Sequence, residues 1–230
     1  MPVQTGFERH FSELGALFLT DASELSVRLR TVKAFVFDWD GVFNAGVKSD
    51  GAGSGFSEAD SMGTNLLRYA LWRRDSRLAR MAVITGEENR SARAFALREH
   101  FDAVYWGVKD KTRALAHFCA ACALTPGEVV CLIDDVNDLG LAANCAIRVL
   151  VRRRAGVLLQ DYVARRGLCD YITAMTPDRC AVREVAELVL GLLGCFDAVV
   201  ESRTAFDADY RRYFAERQAV STELHDFSER

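Results

Sequence analysis

Two carboxylates stand two residues apart in Phe37-Asp38-Trp39-Asp40-Gly41, at the end of an apolar run. Two anions so close are costly unless a cation or a transferred proton compensates them. Three further reactive groups follow in chain order: Ile84-Thr85-Gly86, Gly107-Val108-Lys109-Asp110-Lys111 and Asp134-Asp135-Val136-Asn137-Asp138. A carboxylate can attack phosphorus and form an acyl phosphate. A second carboxylate two residues on can protonate the leaving oxygen and then activate water. Asp134 with Asp38 can hold Mg²⁺, a hard ion that takes oxygen ligands and cancels repulsion between an anionic nucleophile and an anionic phosphate. Thr85 and Lys111 suit the non-bridging oxygens, and Gly86 lets a backbone N–H approach them. The chemistry common to these residue types is phosphoryl transfer.

The elements that must position them are legible as alternating patterns. Near-continuous apolar runs at residues 32–38, 81–85, 103–106, 129–134, 147–151 and 171–173 predict parallel strands buried on both faces. Met62, Leu66, Leu67, Ala70 and Leu71 recur at helical spacing, as do Val182, Val185, Leu188, Val189 and Leu192. Residues 88–100, 111–123 and 136–144 also read as helices. Strand–helix alternation predicts an α/β fold with a doubly wound, mostly parallel sheet, whose site lies beyond the carboxyl ends of the strands. Each reactive group falls there. Residues 42–47 and 53–57, around Ser49-Asp50-Gly51, predict a small β-hairpin flap. Residues 7–19 predict one amphipathic helix with Phe7, Phe11, Leu14 and Phe18 on a face. The charged stretch 201–230 reads as a helix and a loose tail. The expected division is an N-terminal helical extension over 1–30, a catalytic domain over 31–194, and a C-terminal helix and tail over 195–230.

Composition bounds the function classes. The chain has 230 residues, half of them apolar, which is enough for a full core and excludes disorder as the main state. With 29 Lys and Arg against 32 Asp and Glu, the net charge of −3 disfavours a nucleic-acid partner. No apolar run approaches the roughly 20 residues that cross a bilayer. The first ten residues have no basic stretch leading into an apolar one, so no signal peptide is expected. Seven cysteines at irregular spacing read as reduced thiols of a cytoplasmic protein, and Cys119-x-x-Cys122 as small core residues. Arg152-Arg153-Arg154 reads as a solvated loop, although its place after a strand leaves carboxylate binding open.

The motifs resemble those of the haloacid dehalogenase superfamily: Asp38-x-Asp40-Gly41, Thr85-Gly86, Lys111 and Asp134-Asp135-x-x-Asp138, in order. The resemblance implies that Asp38 is the nucleophile and Asp40 the acid/base. It gives Thr85, Gly86 and Lys111 the phosphate. It gives the metal to Asp38, the backbone carbonyl of Asp40 and Asp134, with Asp135 and Asp138 in support. The short stretch from Thr85 to Lys111 leaves no room for the cap domain that many members carry. Phe56-x-x-x-Asp60-x-x-Gly63, Pro126-x-Glu128-Val129 and Ala181-Val182-Arg183-Glu184-Val185 narrow the resemblance to the 3-deoxy-D-manno-octulosonate 8-phosphate phosphatases. That group implies a phosphorylated sugar acid as substrate, a homotetramer in which flaps and tails reach neighbouring sites, and Arg183 as a substrate ligand. The same scaffold implies two alternatives, a nonulosonate 9-phosphate phosphatase and a non-catalytic tetramerisation module. The sequence departs from the group at Glu87, where Arg is usual, at Ile133, where Gly is usual, and at Ser61.

Overall fold

The computed structural model describes residues 6–48 and 54–228. The strands are β1 (Leu17–Phe18), β2 (Ala34–Phe37), β3 (Arg80–Ile84), β4 (Ala103–Trp106), β5 (Val129–Ile133), β6 (Ile147–Leu150), β7 (Tyr171–Ile172) and β8 (Glu223–Asp226). The helices are α1 (Gly6–Glu13), α2 (Ala22–Leu29), α3 (Glu58–Asp75), α4 (Arg90–Arg98), α5 (Lys111–Ala121), α6 (Leu139–Ala142), α7 (Val157–Arg166), α8 (Ala181–Leu192), α9 (Phe196–Ala205) and α10 (Ala208–Gln218). The strands form one sheet in the order β1-β7-β6-β5-β2-β3-β4-β8. Every pairing is parallel except that of β1 with β7. Only α4 and β4 lie between β3 and α5, so no cap domain is inserted there.

Alternation along β2 splits the core. Phe35 and Phe37 join Met81, Val83, Val130 and Leu132 under α2, α3, α4 and α8, whereas Ala34 and Val36 join Ala82, Ile84, Cys131 and Ile133 under α5, α6 and α7. Both faces are covered, which is why the strands read as continuous apolar runs. The register pairs Phe37 with Val83 and with Leu132. Asp38, Thr85 and Asp134, which follow these strands, therefore meet at one carboxyl edge.

Three expectations are corrected. The helix expected over 7–19 stops at Glu13, because Gly15 turns the chain at φ +104°. Leu17 and Phe18 instead form β1, with the Phe18 ring 5.0 Å from that of Tyr171. The N-terminal extension is thus helix, strand and helix, and it joins the sheet. The hairpin flap is absent among the described residues. Phe43 turns inward onto Trp39, with ring centroids 5.0 Å apart, and Gly46 N–H donates to the Asn44 side chain at 2.8 Å. These bonds take the place of a strand ladder. The expected turn Ser49-Asp50-Gly51 lies outside the described residues.

The C-terminal stretch is not a helix and loose tail but two helices and a strand. Tyr210 and Tyr213 are buried against α3, and their hydroxyls donate to the Asn65 side chain and carbonyl at 2.9 and 3.0 Å. Then β8 pairs along β4, with the His225 ring stacked 4.6 Å from Tyr105. A buried ion pair ties this layer down: Arg217 Nη2 reaches Glu99 Oε2 at 2.5 Å. Glu99 also accepts from the Ser61 hydroxyl at 2.7 Å, so the departure at Ser61 serves packing. Arg217→Met strands part of a buried carboxylate and is expected to cost about 3 kcal/mol, read from the urea midpoint. The cost sits at the low end of its range because Ser61 and Arg98 still face Glu99.

Candidate active site

At the centre of the carboxyl edge, Asp38 leaves β2 buried, and Lys111 opens α5 beside it. Lys111 Nζ donates to Asp38 Oδ1 at 2.5 Å and lies 2.5 Å from Asp138 Oδ1. Asp110 caps α5 by accepting from Thr112 N–H at 3.0 Å, which fixes where Lys111 begins. The Asp138 carboxylate turns back to accept from the N–H groups of Asp134 and Asp135, at 3.2 and 3.4 Å, and so shapes the turn that carries Asp134. Asp135 is exposed and accepts from Val136 N–H at 2.7 Å. Thr85 is buried after β3, and Thr85 and Gly86 line the same cavity of about 330 Å³ as Asp38, Lys111 and Asp134.

The electrostatics follow from crowding. Burial pushes the Asp38 carboxyl up from an ordinary 3.8 to about 6, with Asp138 adding to the rise and Lys111 opposing it. Burial pushes Asp134 up to about 8, reinforced by Asp38 and Asp138 and opposed by Arg153. Burial alone would lower Lys111, but the Asp38 and Asp138 carboxylates outweigh it and hold the lysine above its ordinary value. The cluster is an acid-rich pocket short of positive charge.

That shortage fits a divalent cation. Carboxylate oxygens of Asp38, Asp134 and Asp138 lie within 4.8 Å of one another. Asp134 Oδ2 is buried with no hydrogen-bond donor, and Arg153 Nη1, 2.9 Å away, sits off the line of a hydrogen bond. Gly41 has φ +92°, and a Cβ there would overlap the Asp134 carboxylate. An all-oxygen donor set of this kind suits Mg²⁺. The three carboxylates that converge include Asp138, while the Asp40 side chain turns aside. Its oxygens accept from the Ser54 hydroxyl and the Asn89 amide, each at 2.8 Å, and it pairs with Lys48.

These shifts set a pH dependence. Asp38 and Asp134 have folded values above 3.8, so the metal-free folded protein holds more protons than the unfolded chain. Its stability is expected to fall as pH rises from 6 through 8. Mg²⁺ competes with those protons, so the rise in Tm that it produces should grow over the same window. Thermal melts with and without Mg²⁺ at pH 6 and 8.5 check both signs.

Other expected residues separate. Arg183 is not among the residues lining the cavity. Its N–H donates to Asp60 Oδ1 at 2.8 Å, and its side chain pairs with Glu187 at 2.7 Å. Trp39 is fully buried among Phe43, Phe56 and Phe95 and packs the core. Sequence reasoning passed over Asn89 and Ser54. Arg153, read as part of a solvated loop with carboxylate binding left open by its place after a strand, lies just beyond β6 and reaches Asp134.

No family model and no curated protein matches the sequence. Solved structures do. A Legionella pneumophila structure, titled a subfamily III A hydrolase of the haloacid dehalogenase superfamily, is 24% identical with a TM-score of 0.65, over 79% of this chain and 94% of its own. A Moraxella catarrhalis 3-deoxy-D-manno-octulosonate 8-phosphate phosphatase, solved with magnesium, phosphate and KDO, is 25% identical with a TM-score of 0.64, over 78% and 98%. The cobalt-bound Haemophilus influenzae enzyme of the same name is 21% identical with a TM-score of 0.61, over 73% and 92%. The chain has the fold of the haloacid dehalogenase-type hydrolases, and its buried aspartate site supports a phosphomonoesterase. Within that fold it is similar to octulosonate 8-phosphate phosphatases. No described helix is long and apolar enough to cross a membrane.

Proposed function

We propose that the protein hydrolyses a phosphate monoester of a sugar acid, with Mg²⁺ and through a phosphorylated Asp38. The observation that carries the reading is the buried convergence of Asp38, Asp134 and Asp138, with Lys111 paired to the first and the last. Asp38, Asp134 and the Asp40 carbonyl, with Asp138 alongside, would hold a Mg²⁺ that neutralises the carboxylates and the incoming phosphate. Asp38 Oδ forms the new P–O bond while the ester P–O bond breaks. Asp40 gives the leaving alkoxide its proton. Water then attacks the phosphorus and passes its proton to Asp40, which frees Asp38 and releases inorganic phosphate. Lys111, Thr85 and the Gly86 backbone receive charge on the non-bridging oxygens.

The sugar identity rests on resemblance, with 3-deoxy-D-manno-octulosonate 8-phosphate as the first candidate. One observation favours a relative of that substrate. Glu87 lines the cavity where the resembled group carries Arg, which suits a sugar acid with different uncharged hydroxyl or amide groups at that point, such as a nonulosonate 9-phosphate. A homotetramer belongs to the same reading and is measured by sedimentation. The test is hydrolysis of p-nitrophenyl phosphate and of a panel of phosphorylated sugar acids. Turnover with Mg²⁺ that chelation abolishes is the expected result. No release of phosphate from any ester would overturn the reading in favour of a non-catalytic module.

A further inference from the structure

The active-site cavity continues beyond Arg153. A second chamber of about 490 Å³ is lined by Arg152, Arg153, Arg154, Thr176, Asp178 and Arg179, so Arg153 is common to both. Its guanidinium spans the join: Nη1 lies 2.9 Å from Asp134 Oδ2, and Nη2 donates to the Ala45 carbonyl at 2.9 Å. A Cβ on Gly46 would lie 3.0 Å from Nη2, so a glycine leaves the guanidinium its place.

The charges of the second chamber do not cancel. Arg152 is spent on structure, donating to the Thr173 and Gly15 carbonyls at 2.8 Å each. Arg154 and Arg179 share one exposed carboxylate, Asp178, with Arg179 Nε 3.8 Å from it. Two exposed cations against one anion leave positive charge at the mouth, in a chain whose net charge is −3. Strand order places the arginines relative to the phosphoryl site. The arginines follow β6 and β7, on one side of the Asp38-bearing strand β2, and Glu87 follows β3, on the other. Lys109 lies on the Glu87 side and offsets it, so the draw on a second anion rests on the unbalanced arginines of the second chamber itself.

We propose that this chamber is a subsite for a second anionic group of the substrate, a carboxylate, received by Arg154 and Arg179 with Arg153 at the join. The inference rests on the phosphatase reading and deepens it. It assigns the phosphate to the Asp38–Lys111 end and the carboxylate to the arginine end, both within one chain. Guanidinium groups suit a carboxylate because their paired N–H donors match its two oxygens.

The experiment compares kcat/KM for 3-deoxy-D-manno-octulosonate 8-phosphate with that for p-nitrophenyl phosphate, in wild type and in Arg154→Ala/Arg179→Ala. Both positions are exposed, so the fold is expected to survive, and the Tm is recorded alongside. The ratio of the two specificity constants should fall about ten- to a hundredfold in the variant, carried by KM. An unchanged ratio would overturn the subsite. If the wild type hydrolyses neither ester, the phosphatase reading falls instead. The subsite is then decided by calorimetry with the same sugar-acid phosphate: weaker binding to the variant supports it, and equal binding overturns it.

Discussion

Asp38→Asn is expected to stop Mg²⁺-dependent hydrolysis of p-nitrophenyl phosphate, a loss on the order of 10⁴-fold or more. The amide keeps the size of the carboxylate and loses its nucleophilic oxygen, so the change removes chemistry and little packing. It also removes one of the like charges that push Asp134 up to about 8. The metal-free variant should therefore melt no lower than the wild type at pH 8. Fold loss and nucleophile loss thus predict opposite outcomes, and one melt with one rate assay separates them. Equal rates in variant and wild type would sink the assignment of Asp38.

Lys111→Met is expected to damage both stability and rate. The lysine contacts Asp38 and Asp138 at 2.5 Å, and its side chain is 7% exposed. Among the described residues, its removal leaves Arg153, near Asp134, as the cation in contact with the buried carboxylates. Breaking one member of such a cluster costs about 3–5 kcal/mol in the metal-free protein. Part should return on adding Mg²⁺, which supplies the missing positive charge. The rate should not return with it, because the charge that meets the non-bridging oxygens has gone, a loss of about 10²–10³-fold. Urea unfolding with and without Mg²⁺, set beside kcat, checks both halves. Full recovery of rate by Mg²⁺ would mean that Lys111 only balances charge.

Much of this site could be read from residue types, because buried parallel strands announce themselves as apolar runs and the reactive groups fall at their ends. That rule points to Asp38, Thr85, Lys111 and Asp134, which line one cavity. The rest depends on where side chains aim, which periodicity does not encode. Asp138 reads as support, yet its oxygen joins the converging carboxylates. Arg153 sits among three arginines of one type, and only the chain turn sends it towards Asp134 while Arg152 goes to the Thr173 carbonyl. The last strand hides for another reason. Glu223, Leu224, His225 and Asp226 are polar in bulk because an edge strand needs no apolar run. Its docking is set by the Tyr105 ring, more than a hundred positions earlier.

Both ends of the sheet are closed by strands from the flanks of the chain, β1 of two residues and β8 of four. An open strand edge is a template on which foreign chains can add, and short polar edges blunt that hazard. Without β8, the Ala103-Val104-Tyr105-Trp106 edge of β4 would present unpaired N–H and carbonyl groups beside aromatic rings. The two short strands thus cover edges on which foreign chains could otherwise add.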